Sequence, residues 1–287
     1  VAAGVDYTAG ATAPSLFGLK YLGGGTDKRL RELAPGSGNL SGHSLAREGD
    51  AQTLRLDYRF PDGAGGVVGV TCRAALADGG DDVRWTIALE NGARDMEIVE
   101  VTFPILGGLR IGSRTEDNFL AWPAWGGGRL IGDPQHNGKR SGTYAGGGAT
   151  MAWMDLFCRP LGPRMESGEA ACGLYFASHD PTLLMTGLAS QPSRDGDSLR
   201  LQMTKYARVP GGKRWASGEF VTRVHSGDWH AGADTYRAWF RGWAPHPEPP
   251  AWLRECDGRL EWTLPLDGTG RFEKDIVRKS RWRSNSA

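Results

Sequence analysis

Cysteine is scarce and unpatterned. The 287 residues hold four, Cys72, Cys158, Cys172 and Cys256, and no two form a Cys-x-x-Cys pair. That argues against a zinc ribbon; buried thiols are the expectation, with one disulfide left open. Charge of one sign is absent as well, since Lys and Arg total 34 against 33 for Asp and Glu. A nearly neutral chain is neither an electrostatic nucleic-acid binder nor an acidic solvating tail. No uncharged apolar run reaches the ~18 residues of a membrane-spanning helix. No signal peptide is visible, and the start at Val1 is what a processed or cropped piece would show. The compartment is open, with a secreted or periplasmic one favoured. His-Glu-x-x-His and Gly-x-Ser-x-Gly are missing, which argues against a zinc protease and an α/β-hydrolase. Nothing calls for a metal or a cofactor.

What is abundant is glycine and tryptophan, 43 and 11 residues. Glycine at about twice its usual ~7% without a collagen period reads as turns. Period-2 alternation fills the spaces between them. In Leu54-Arg55-Leu56-Asp57-Tyr58-Arg59-Phe60 every second residue is apolar, the pattern of a half-buried strand. Val68, Val70 and Cys72, then Val83, Trp85, Ile87 and Leu89, then Val99, Val101, Phe103 and Ile105 continue it. Pro61-Asp62-Gly63, Asp78-Gly79-Gly80 and the hairpin signal Asn91-Gly92 separate the runs. Residues 52–110 thus read as an antiparallel meander. The grammar returns at 173–178, 199–204 and 220–225, which predicts one large two-sheet β domain.

The period changes once. Apolar residues recur at Trp229, Ala233, Tyr236, Phe240 and Trp243 behind Asp228, a good N-cap, so 228–243 is predicted to be an amphipathic helix. Pro245, Pro247, Pro249 and Pro250 then form a stiff linker.

Chemistry is expected where aromatics gather without periodicity. Trp122 and Trp125 sit in a Pro- and Gly-rich loop, and Tyr144 precedes a second glycine cluster. Flat aromatic faces stack on sugar rings, and glycines let backbone approach a ligand; the alternative is that the two Trp simply fill the end of a sandwich. His179-Asp180 closes a strand, where the pair either projects into a cleft or forms a self-capping turn. Gly126 to Gly132 lacks the Lys-Ser/Thr ending of a phosphate loop. No carboxylate pair stands out among the 33 acids, although glycosidases need two.

The order of motifs resembles a known family: the aromatic loop Phe119 to Gly128, then Gly173-Leu-Tyr-Phe-Ala-Ser-His-Asp180, then Gly227-Asp-Trp-His-Ala-Gly-Ala-Asp-Thr-Tyr-Arg-Ala-Trp239, then Pro250-Ala-Trp-Leu-Arg254. Over about 15–255 the layout is similar to the N-terminal region of bacterial glycoside-hydrolase-like proteins of the domain-of-unknown-function 6259 kind. These are themselves similar to endo-α-N-acetylgalactosaminidases and α-galactosidases. The resemblance implies a mainly β, galactose-mutarotase-like β-supersandwich over 1–226, a helix and linker over 227–254, and, over 255–287, the start of a truncated or missing (β/α)8 barrel or a disordered tail. A barrel needs about 250 residues, so the resemblance implies an accessory domain without its catalytic one. Its partners would be a glycan and a barrel downstream or in trans, with Trp122, Trp125, Tyr144, His179 and Asp180 touching substrate in the whole enzyme. Three other readings stand beside this one. The chain is a stand-alone carbohydrate-binding module, or an aldose-epimerase-like enzyme using His136, His179 or His225, or a scaffold without a ligand.

Overall fold

The computed structural model describes residues 7, 15–24, 29–112, 114–124, 127–145, 147–159, 171–245, 248 and 250–254. The alternating runs form strands. Leu54 to Phe60 lies in β4 (Ala51–Pro61), which pairs antiparallel with β3 (Leu40–Glu48) and β5 (Val67–Ala77), and β5 with β6 (Asp82–Asn91). Gly49, Gly63 and Gly79 take positive φ in the three returns, the conformation that a side chain would oppose.

The meander expected over 52–110 then breaks. The next strand, β7 (Met96–Leu109), does not run back along β6 but belongs to a second sheet. Asn91 makes this corner. Its buried Nδ2 donates to the carbonyls of Met96 (2.8 Å) and Val209 (2.9 Å), and its Oδ1 accepts the Ala93 N–H at 3.1 Å. Gly92 lies so close to β5 that a Cβ would fall 2.6 Å from the Val67 carbonyl oxygen. Asn91-Gly92 is therefore a junction between layers, not a two-residue hairpin.

The second sheet has six strands in the order β10 (Arg140–Tyr144), β13 (Thr186–Pro192), β14 (Leu199–Lys205), β7, β1 (Gly18–Gly23) and β2 (Leu30–Leu33). The first sheet has ten. After β3 to β6 come β16 (Glu219–Ser226), β12 (Cys172–His179), β11 (Trp153–Cys158), β8 (Asn118–Trp122) and β9 (Arg129–Gly132). The short β15 (Arg214–Ala216) pairs with β6 next to where β16 does. Every pairing between the described strands is antiparallel.

The inward faces interdigitate. Phe103 on β7 meets Phe220 on β16 edge to face at 5.9 Å, and Leu19, Ile98, Leu120, Met154, Phe176 and Met203 fill the space around them. One ion pair is sealed into this interior: Lys205 Nζ bonds Asp180 Oδ2 at 2.8 Å, with the two residues 1% and 5% exposed. Thr186 Oγ1 takes a second Lys205 proton at 2.8 Å, so the ammonium is hydrogen-bonded as well as paired. At the other end of the larger sheet the cover runs out. Core-facing exposure on β4 rises from 5% at Phe60 to 37% at Leu54, and Leu45 beside it on β3 is 71% exposed.

The predicted helix is α1 (Trp229–Trp243), and Asp228 caps it by accepting the His230 N–H at 3.1 Å. It packs on the outer face of the ten-stranded sheet, on Ala121, Trp153, Tyr175, Ala177 and Val221. The compact unit that contains the sandwich runs to Ala244, and a second unit starts at Pro245. Within that second unit a short helix, α2 (Ala251–Arg254), is described; the barrel start expected over 255–287 lies outside the described residues.

Candidate functional site

The face that α1 buries is centred on Gly232 and Tyr236. Gly232 has no side chain to hold the helix off the sheet. A Cβ there would overlap the Asp155 carboxylate and lie 3.2 Å from Tyr175 Cδ2. Asp155 is fully buried and bonds His225 Nε2 through Oδ2 at 2.9 Å. Gly173 leaves room on the other side: a Cβ on it would sit 2.5 Å from the His225 ring and 3.0 Å from Asp155 Oδ1. Two glycines thus enclose one Asp–His pair. Burial raises the Asp155 carboxyl, with His225 working against it. Burial alone would lower His225, but the hydrogen bond and charge of Asp155 outweigh it, and the imidazole titrates above its ordinary value.

Docking α1 here leaves a groove of about 660 Å³ between the helix and the loops after β8 and β10. Trp122, Tyr144, Met151 and Trp153 line the sheet side, and Trp229, Tyr236 and Phe240 the helix side. Arg129, Thr150, Asp234 and Arg237 add polar groups. The loops are fixed to each other, since Thr150 donates to the Pro123 carbonyl from both its N–H (2.8 Å) and its Oγ1 (3.2 Å). Apolar walls with a few placed polar groups are the usual make-up of a small-molecule site. Among the described residues lining the groove Asp234 is the one carboxylate, and it is paired with Arg237 at 2.9 Å. Glycoside cleavage uses two carboxyl groups across the bond; the described lining of the groove supplies one.

Of the five residues singled out in the sequence, the structure brings Trp122 and Tyr144 together in this groove. Trp122 is 6% exposed; its ring belongs to the inter-sheet core and approaches Gly142, where a Cβ would lie 3.3 Å from Cζ2. Trp125 lies outside the described residues. His179 and Asp180 are placed elsewhere. His179 stacks on Trp239 at 4.6 Å and meets the Tyr175 hydroxyl at 2.9 Å; burial pulls its pKa down to about 4. Asp180 forms the self-capping turn, accepting the Thr182 N–H (3.0 Å) and hydroxyl (2.7 Å) besides its bond to Lys205. The three histidines of the epimerase reading do not meet: His136 is exposed and bonded to Asp133, His179 is under Trp239, and His225 is on Asp155. Trp153, Trp229, Tyr236 and Phe240 were not among the five; the helical period of the last three was the signal that marked them as one face.

A second recess of about 630 Å³ lies on the outer face of β4, β5 and β6, floored by Gly69, Thr71 and Ala88. Of its charged lining residues, Asp57 is paired with Arg55 beside the recess and Glu90 with Arg214. Among the described residues no group of three or more His, Cys, Asp or Glu could hold a metal ion, and no helix is long and apolar enough to cross a membrane.

No protein-family model matches the chain, and no curated protein matches it in sequence. Solved structures match it in shape. The α-N-acetylgalactosaminidase NagBb from Bifidobacterium bifidum, in complex with GalNAc, aligns with a TM-score of 0.57 at 14% identity, over 84% of this chain and 35% of that one. Its ligand-free form aligns with a TM-score of 0.52 at 14% identity, over 84% and 34%. The GH36 α-galactosidase AgaA from Geobacillus stearothermophilus aligns with a TM-score of 0.44 at 13% identity, over 83% and 32%, too loosely to argue from. The chain spans about a third of the length of these structures. What the likeness establishes is the fold: this two-sheet sandwich is shared with part of a glycosidase.

Proposed function

We propose that the chain is the non-catalytic N-terminal β-supersandwich region of a glycoside hydrolase of the domain-of-unknown-function 6259 kind, which supports a (β/α)8 barrel and offers its aromatic groove to the glycan. The observation that carries this reading is the groove itself. Aromatic rings from two sides converge on about 660 Å³ with polar groups among them, and the one carboxylate among the described residues lining it is tied to Arg237. Rings of this kind bind the C–H face of a sugar while polar neighbours take its hydroxyls. The fold likeness to a glycosidase supports the same reading. In the parent protein the two carboxyl groups would come from the barrel, and the sandwich would orient and shield the substrate.

The test is a titration of the chain with GalNAc- and galactose-terminated oligosaccharides, followed by tryptophan fluorescence, with product analysis on the same samples. The expected result is a saturable change that Trp229→Ala and Tyr144→Ala both weaken, with no hydrolysis. Hydrolysis by this chain, or binding that the two substitutions leave untouched, overturns the reading.

A further inference from the structure

Two thiols that the groove does not use face each other across one ladder. Cys158 ends β11, Cys172 begins β12, and the two are directly opposed in register. The phase of the ladder follows from Ser178, whose N–H donates to the Ala152 carbonyl at 2.9 Å. Opposed pairs alternate between hydrogen-bonded and not. From 152/178 the bonded pairs run 154/176, 156/174 and 158/172. On the far side of β11 the bond from Arg159 N–H to the Asp117 carbonyl fits the same phase. In a bonded antiparallel pair the Cα atoms stand about 5.5 Å apart, inside the span of about 4.4–6.8 Å that a disulfide bridges; the Cβ atoms of such a pair are about 5.5 Å apart against the roughly 3.5–4.5 Å of a formed bond, so closing it draws the two strand ends together. Both side chains lie on the core-facing side, Cys172 buried in the inter-sheet core and Cys158 half-buried against it. The Tyr7 hydroxyl closes the group with a hydrogen bond to Cys172.

We propose that Cys158 and Cys172 are a reversible thiol–disulfide pair that ties β11 to β12, with a glutathione-type disulfide as oxidant. Cys158, the more accessible, attacks first. Its thiolate bonds one sulfur of the oxidant, the oxidant's S–S bond breaks, and one small thiolate leaves. Cys172 loses its proton and attacks Cys158 Sγ, expelling the second small thiolate. Two protein thiols are oxidised, one small disulfide is reduced to two thiols, and the two cysteine protons end on the released thiolates. The order follows from the surroundings: burial raises the Cys172 thiol, which Tyr7 offsets in part, so Cys172 is the slower starter and the natural resolving group. Cys72 sits on β5, strands away from both, and does not compete. The inference is independent of the glycosidase reading.

The experiment equilibrates the folded 287-residue chain with oxidised glutathione, alkylates the remaining thiols and maps the peptides. The expected result is a Cys158–Cys172 linked peptide with Cys72 alkylated. Cys172→Ser should retain glutathione on Cys158, and Cys158→Ser should retain on the order of tenfold less on Cys172. A fully reduced pair, or a link that forms only after unfolding in urea, overturns the proposal without recourse to the variants.

Discussion

Gly232→Ala tests the seat of α1. In a helix this change ordinarily stabilises, by up to about 1 kcal/mol, because alanine loses less backbone freedom. Here the added methyl would overlap Asp155 Oδ2 and lie 3.0 Å from its Cγ. The carboxylate has nowhere to withdraw, since Gly173 and the His225 ring are in contact behind it. Overpacking a core costs about 1–3 kcal/mol, and separating a buried pair about 3–5 kcal/mol. Helix lifting relieves part of this, so the expected net loss is about 2–4 kcal/mol. Gly242 in the same helix supplies the control, because a Cβ there meets nothing within 4 Å. Gly242→Ala should be neutral or stabilise by up to about 1 kcal/mol. Urea unfolding of the two variants against the parent decides between them, provided the slope stays constant so that the midpoint reports stability. The imidazole of His225, followed by NMR, should fall toward its ordinary pKa in Gly232→Ala as Asp155 is pushed away. Equal shifts for both glycines, or an unmoved His225 titration, would refute the reasoning.

Stability should also fall with acid through His179. Its pKa is lowered from 6.5 to about 4 by burial, so the unfolded chain binds the extra proton and stability is lost as pH drops from about 6.5 to 4, by up to ~3 kcal/mol. His179→Phe should flatten that part of the urea-midpoint profile; an unchanged profile would mean the ring is not held neutral. Lys205→Met should cost about 3–5 kcal/mol by stranding the buried Asp180 carboxylate, and Asp180→Asn in the same chain should restore most of it, as read by thermal unfolding; a double variant no better than the single would count against a sealed pair. Leu45→Lys, at an exposed apolar position on an edge strand, should raise the concentration at which light scattering first detects association, with the unfolding midpoint unmoved.

Strand period was legible where a strand has one wet and one dry face, which writes alternation into Leu54 to Phe60 and Leu199 to Met203; under α1 the strands Trp153–Cys158 and Cys172–His179 are buried on both faces and carry no such alternation. The helix was legible to its cap. Sheet membership was not: Asn91-Gly92 has the composition of a hairpin, and only the distant carbonyl of Val209 makes Asn91 a corner. The site was legible in part. Trp122 and Tyr144 stood out by composition, but the groove exists because α1 comes down on the sheet, and it comes down at Gly232, the one point on that face where a hydrophobicity pattern is blank. The buried Asp155–His225 and Asp180–Lys205 pairs join residues 70 and 25 apart, and nothing in local sequence couples them.

The place of β16 in the chain sets an order of assembly. It lies in the interior of the larger sheet between β6 and β12, and Arg223 on it bonds Asp82, 141 residues earlier. The hairpins β3 to β6 can form as soon as they are synthesised, whereas joining the two halves of the ten-stranded sheet waits for residue 226. Such distant pairings are the slow ones. Until β16 arrives, β6 and β12 both present open edges, and a nascent chain paused before it is the species that chaperones must shield. The helix follows within three residues and closes over the new seam. Any segment translated after α1 therefore emerges once every described strand of the sandwich has been made.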